Sequence, residues 1–375
     1  MRPTWRLAGA VILFMVLEWY GATSEISWLF LLAAWVAAMV GAAAFYAYRS
    51  RRGVTLRLAV ENVRSSPLSP VHDLPEQVLR TAPDAAVVFE GDSVDLSVGL
   101  DARRKAAGPA WVRGKVAGTD IAVGAGVVTR KGWRTHRTLP ALRRSAIAAT
   151  GWTIHSGDPL GFFDSATIRA DGEVGLVYPR FTSLAARRQT RELEATSVAP
   201  RAGAGTELFG VREFSPGDSL RRIHWRSTAR NGRLVVREYE PPGVETLAIY
   251  LDPTPLDETI ADQIARIAAS EAWDCIRNGG RVSLWSPGLG ASAAGDGRNL
   301  WALLDWLARY PEEPGDDAAP TASEVVVITA TPEARLTDAV EAAKRRGAHS
   351  RAWVVGDAEL DLDLDVQRTG LAWPL

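Results

Sequence analysis

The sequence predicts a membrane-anchored, multi-domain protein with two transmembrane helices, an all-β sandwich-like domain and a C-terminal doubly wound α/β domain. Three observations predict it. Two long apolar runs fill the first fifty residues, period-two alternation broken by Gly, Pro and Asp continues to about Arg180, and strand-like and helix-like runs alternate after Gly243.

The apolar runs extend over about 7–23 and 26–48, separated only by Ser24 and Glu25. A bilayer core takes about 20 apolar residues per helix. A second run directly after the first marks a helical hairpin within residues 1–50 rather than a cleaved leader. Arg2 and Arg6 precede the pair, and Arg49, Arg51 and Arg52 follow it. Positive charge stays on the cytoplasmic side, so the pattern predicts a two-pass protein of the cell membrane with its soluble domains in the cytoplasm. Glu18, near the end of the first run, reads as an interfacial carboxylate.

Residues 51–183 carry the β pattern, as in VTLRLAV (Val54 to Val60) and SVDLSVGL (Ser93 to Leu100). Pro67, Pro70, Pro75 and Pro83 argue against helix there. Residues 184–243 form a connector and an Arg-rich segment. In residues 244–375, strands are expected at TLAIYL (Thr246 to Leu251), RVSLWS (Arg281 to Ser286), EVVVITA (Glu324 to Ala330) and SRAWVV (Ser350 to Val355). Helices are expected over 257–277, 298–310 and 332–346, the last stopped by Gly347. That alternation predicts a mostly parallel, doubly wound sheet.

Composition narrows the function. A net charge of -1 gives no global basic field for nucleic acid, and Cys275, the single cysteine, excludes an intrachain disulfide and a cysteine metal cluster. The five histidines, His72, His136, His155, His224 and His349, show no metal spacing and no nucleophile motif. The glycines at 288, 290, 295 and 297 lack the Lys-Ser/Thr ending of a phosphate loop. Neither a cofactor nor a catalytic set is predicted.

The densest signal is Gly205 to Glu240. Ser215-Pro216-Gly217-Asp218 reads as a turn. A short helix capped by Asp218 or Ser219 is expected to run to Ala229, with Arg222, Arg226 and Arg230 on one face as a cationic stripe about 12 Å long. Arg212, Glu213, Arg237 and Glu238 flank that helix, and two readings stay open: an ion-pair network fixing a joint, or a surface that docks a partner.

This segment resembles the signature of the prokaryotic family known as domain of unknown function 58. The matching residues are Gly205, Glu207, Arg212, Glu213, Phe214, Pro216, Gly217, Asp218, Arg221 or Arg222, Ile223, Trp225, Ala229, Arg230, Val236, Arg237, Tyr239 and Glu240. The likeness extends to Gly157–Phe163 and to the Val-Tyr-Pro-Arg stretch ending at Arg180. It implies a C-terminal domain similar to the von Willebrand factor type A domain. It also implies an adaptor working with a MoxR-type AAA+ ATPase in protein maturation or envelope processes, and since it carries over no catalytic residues and the residues show no catalytic motif, a non-enzymatic role is expected.

Type A domains often hold Mg²⁺ through oxygens at the end of the first strand. Asp252 and Thr254 match two such ligands, but Leu256 replaces a hydroxyl, and Ala330-Thr331-Pro332-Glu333 lacks the later Asp. No metal site is therefore expected, and Asp252 reads as a turn or helix-capping carboxylate. A metal-dependent ligand-binding or adhesion domain is the alternative function, and an envelope enzyme, resting only on the crevice of such folds, is the third.

Overall fold

Nearly every position of the first two helices is apolar, and their exposed surface includes Ile12, Met15, Trp19, Leu31, Trp35 and Phe45. A short strand β1 (Arg2–Pro3) precedes α1 (Trp5–Ser24), and α2 (Ser27–Ser50) follows. Both helices are long and apolar enough to cross a membrane. They turn at Glu25, which sits in the left-handed region at φ 52°. The helices approach closely at Gly21, where an added Cβ would lie 3.3 Å from the Phe30 ring.

The computed structural model describes residues 2–50, 54–83, 86–102, 106–107, 110–126, 128–129, 131–169, 171–185, 187, 208–213, 228, 235–239, 246–291, 297–311, 318–360, 362 and 364–375. They fall into two units, Met1–Arg180 and Phe181–Leu375.

In the first unit the hairpin leads into β2 (Val54–Arg64), α3 (Glu76–Leu79), β3 (Val88–Phe89), β4 (Ser93–Ala102), β5 (Ala106–Ala107) and β6 (Ala110–Val116). It continues through β7 (Thr119–Ala125), β8 (Val128–Thr129), β9 (Trp133–Leu139), β10 (Ser145–Gly157), β11 (Phe163–Ile168) and β12 (Gly172–Tyr178). Short helical turns at Pro70–His72 and α3 correct the expectation of no helix among the prolines. Pro70 and Pro75 stand at the start of each, where a missing N–H costs nothing.

The larger sheet runs β1-β11-β10-β12-β3, with β6 and β7 joined through β10, and the smaller is β2-β4-β9. One apolar core draws on both, with Leu56, Leu96 and Leu139 from the smaller sheet and Val112, Ile147 and Val177 from the larger. Long β10 curls the larger sheet. Its register shifts twice, and Gly151 adopts φ 63°. Trp152 then turns into the core directly over Gly114, where a Cβ would come within 2.3 Å of the indole.

The second unit holds a two-stranded ribbon, β13 (Leu208–Glu213) and β14 (Val235–Tyr239), and a six-stranded sheet. The sheet elements are β15 (Thr246–Leu251), α4 (Glu258–Arg277), β16 (Arg281–Ser286), β17 (Gly290–Ala291), α5 (Leu300–Arg309), β18 (Glu324–Thr329), α6 (Ala334–Arg345), β19 (His349–Val355) and β20 (Asp365–Thr369). The order is β17-β16-β15-β18-β19-β20, parallel except for β17. Numbered along the chain this is 3-2-1-4-5-6, a doubly wound order whose switch point lies between β15 and β18. Strands β17 and β20 were not read from the sequence. β17 has only two residues, and β20 (DVQRT) lacks an apolar run.

Helix α4 packs on one face of this sheet and α6 on the other, where Leu336, Val340 and Ala343 meet Ala248, Tyr250, Val325 and Val327. Every residue of α4 from Ala261 to Cys275 is buried, polar ones included. Its polar side chains are put to use. Ser270 Oγ and the Asp274 carboxylate accept from the backbone N–H groups of Thr182 and Leu184, and Gln263 donates to the carbonyls of Gly370 and Ala372.

Candidate functional site

In an open α/β sheet the crevice outside the carboxyl ends of the strands, at the switch point, is where ligands bind. Asp252 stands there, one residue past β15, and is fully buried. One carboxylate oxygen accepts from Thr329 Oγ1 at 3.0 Å, Ala330 N at 3.0 Å and Thr331 N at 2.9 Å, at the end of β18 and on the loop that leaves it. The other accepts from Thr254 N at 3.0 Å. The Tyr310 hydroxyl, at the end of α5, donates to the Asp252 carbonyl.

Asp252 is therefore neither a simple turn residue nor a helix cap. It bridges the two loops of the switch point, while Asp257 caps α4 by accepting from Ile260 N at 2.8 Å. The chemistry of the set does not fit Mg²⁺. Four donors already converge on the carboxylate, and their positive ends oppose a cation where Mg²⁺ would need several free oxygens. Thr254 offers its backbone N–H to Asp252, Leu256 is exposed, and no group of three or more His, Cys, Asp or Glu is placed to hold a metal among the described residues.

Beside this edge, on the α6 side, lies an open groove of about 270 Å³ lined by Trp285, Pro287, Ala319, Arg335, Asp338 and Ala339. It falls below the usual range for small-molecule pockets, about 300–1,000 Å³, and suits a single side chain better. Below it Tyr250 packs its ring edge-on to Trp285 at 5.0 Å and donates to the Pro320 carbonyl at 2.9 Å. Burial pushes the Tyr250 phenol above its ordinary pKa, with Arg346 pulling weakly the other way.

Of the signature residues, Arg212 and Glu213 lie on β13, and Arg237 and Glu238 on β14. The antiparallel register sets Arg212 opposite Val236, Val211 opposite Arg237, Glu213 opposite Val235 and Gly210 opposite Glu238. Strand alternation then puts positions 212 and 238 on one face of the ribbon and 213 and 237 on the other. Pro216, Gly217, Asp218, Arg222, Trp225, Arg226 and Arg230, with the expected turn and helix, lie outside the described residues.

The other two elements of the likeness are both ordered around buried acids. In Gly157–Phe163, Asp158 accepts from the backbone N–H groups of Leu160 and Phe163 at 2.8 and 2.7 Å. In the Val-Tyr-Pro-Arg stretch, Val177 and Tyr178 pair with Val88 and Phe89, and Arg180 lies 3.7 Å from buried Glu90. Sequence spacing missed one cluster. His155 Nδ1 sits 3.2 Å from the Asp164 carboxylate, its ring stacks on Trp111 at 3.9 Å, and Arg113 covers that indole at 4.6 Å. The four residues meet only through pairing of β6, β10 and β11, so no local motif announces them.

The comparisons agree with the signature. Residues 210–355 match the family described as "Protein of unknown function DUF58". The chain is also similar to the uncharacterized protein YeaD of Bacillus subtilis (strain 168), 22% identical over 155 residues. That alignment spans 40% of this chain and 37% of the relative's length. The signature overlaps the start of the matched region, and it is residues 210–355 that match the DUF58 family.

Proposed function

We propose that the protein is a non-enzymatic, membrane-anchored interaction protein that presents a von Willebrand factor type A-like unit to a protein partner. The observation that carries this reading is Asp252. The fully buried carboxylate at the switch point is consumed in tying two loops together, which leaves it to shape a surface rather than to move protons or hold a metal. The sheet order with its short antiparallel edge supports the type A-like assignment. The side-chain-sized groove under Trp285 supports a protein ligand.

In this reading the two apolar helices cross the cell membrane, and the arginines at both ends of the hairpin keep the remaining domains in the cytoplasm. The partner is a MoxR-type AAA+ ATPase, as the resemblance implies, and the shared task is maturation of other proteins or an envelope process. Affinity purification of the full chain from detergent extract should recover that ATPase. An extract in which the ATPase is expressed and never co-purifies would refute the pairing. Protease added to intact cells should spare the chain, whereas cleavage without permeabilisation would reverse the topology.

A further inference from the structure

The start of the chain is joined to the β domain before it enters the first helix. Arg2 and Pro3 pair with Asp164 and Phe163, Thr4 N donates to the Phe162 carbonyl at 3.0 Å, and Thr4 Oγ1 donates to the Gly161 carbonyl at 2.6 Å. The next residue, Trp5, opens α1. The turn between β10 and β11 is thus fixed at the height of the helix start by hydrogen bonds, not by a linker. The C-terminal part of the hairpin reinforces this, since α2 packs on β10 and β11.

That height is also marked by aromatic residues. Of the exposed tryptophans and tyrosines of the hairpin, Trp5 and Tyr48 lie at this end and Trp19, Tyr20 and Trp28 at the other, with Trp35 between. Such belts lie at the two membrane–water interfaces. From Trp28 to Tyr48, 20 residues at 1.5 Å each span about 30 Å, the thickness of a hydrocarbon core. Residues hydrogen-bonded beside Trp5 therefore fall in the headgroup layer.

From this we infer that the β10–β11 turn, residues 158–162, is a membrane-contacting element that holds the β domain against the lipid surface, with Leu160 entering the interface and Arg6 facing lipid phosphates. The inference rests on the proposal that α1 and α2 span the bilayer. The turn is built for the task. Buried Asp158 locks its backbone, which leaves Leu160 turned outward and exposed. Gly161 lets the exposed Arg6 lie across the turn, because a Cβ there would come within 2.8 Å of the guanidinium. An apolar tip beside cations is the composition that binds an anionic lipid surface.

The test uses the full chain with Cys275 replaced by Ser, reconstituted in phosphatidylcholine and phosphatidylglycerol vesicles and labelled with a fluorophore at one introduced cysteine. Leu160→Cys reports on the turn, Ala37→Cys on the middle of α2, and Asp120→Cys on the far end of the sheet. Asp120 follows the β6–β7 turn, and seven residues of β10 at about 3.3 Å each separate that end from the β10–β11 turn. Lipids spin-labelled near the headgroup should quench Leu160→Cys several-fold more than Asp120→Cys, and lipids labelled near the chain end should quench Ala37→Cys. Loss of quenching at Ala37→Cys would overturn the membrane span itself. Quenching at Ala37→Cys with Leu160→Cys no better quenched than Asp120→Cys would overturn the contact alone.

Discussion

Glu271 on α4 and Arg351 on β19 form a two-pronged ion pair inside the second unit, with Arg351 Nη1 and Nη2 donating at 2.6 and 2.8 Å to the two oxygens of a carboxylate that has no exposed surface. The Trp353 indole N–H donates to the same carboxylate at 2.8 Å, and Arg351 Nε donates to Glu324 at 2.6 Å. Burial works against the charge of Arg351, and the hydrogen bonds and charges of Glu271 and Glu324 outweigh it, so its pKa lies above the ordinary value for arginine.

Glu271→Ala should therefore destabilise the chain by about 3–5 kcal/mol, because it removes the acceptor of both Nη groups of a buried guanidinium and leaves its charge to the half-buried Glu324. The double variant Glu271→Leu with Arg351→Met should recover part of that loss, since it removes the desolvation of both charges while taking from the Trp353 indole N–H and from Glu324 the partners they had. Urea denaturation of the detergent-solubilised full chain, read by tryptophan fluorescence, checks both. Equal stability of the single and the wild-type chain would show that the pair is not where the unit's cohesion lies.

Asp252→Ala should cost several times the 1 kcal/mol or so of an ordinary cap. It removes the shared acceptor of Thr329, Ala330, Thr331 and Thr254, two of whose hydrogen bonds are fully buried. Each buried donor left without a partner costs about 1–3 kcal/mol, which puts the total for the two at about 2–6 kcal/mol. Asp252→Asn, with one oxygen kept as acceptor, should lose less. The same denaturation experiment decides, and a loss below 1 kcal/mol for Asp252→Ala would mean that water replaces the carboxylate freely.

The strands and helices around these residues were legible in the sequence because burial there follows local periodicity. TLAIYL and RVSLWS are strands over the expected residues, and α4 begins directly after a capping Asp. The roles of individual side chains were not legible. Asp252 has three of its four donors 77 to 79 residues away, and Glu271 meets Arg351 across 80 residues. Period and spacing speak of neighbours within one element, whereas these contacts exist only once the sheet has brought distant loops together. The short turns among the prolines were missed for a different reason, since proline opposes a helix interior and not its first residue.

Tyr250 predicts a pH dependence. Its folded pKa lies above the value of about 10 expected when unfolded, so its protonated form contributes stability that is fully present below pH 10 and is lost as pH rises through the folded pKa. Tyr250→Phe should lose about 1 kcal/mol at neutral pH with the hydrogen bond to Pro320, and should decline less steeply than the parent above pH 10. Denaturation at a series of alkaline pH values measures the slopes, and identical slopes in the two proteins would remove Tyr250 as their source.

The ribbon of β13 and β14 gives the sharpest test of the signature. Arg212 and Glu238 occupy diagonal positions on one face, as do Arg237 and Glu213 on the other, while Arg212 and Glu213 are sequence neighbours on opposite faces. Diagonal positions are about 7–8 Å apart at the backbone, within reach of long side chains. A charge reversal at Arg212 should therefore be repaired by its diagonal partner and not by its neighbour in sequence. Arg212→Glu should lower the melting temperature, Arg212→Glu with Glu238→Arg should restore it, and Arg212→Glu with Glu213→Arg should not. Recovery by the second double variant in place of the first would overturn the diagonal pairing. If the ribbon faces solvent as a docking surface, all three will melt with the parent, because exposed pairs contribute only about 0–1 kcal/mol, and the loss will appear in co-purification of the proposed ATPase partner.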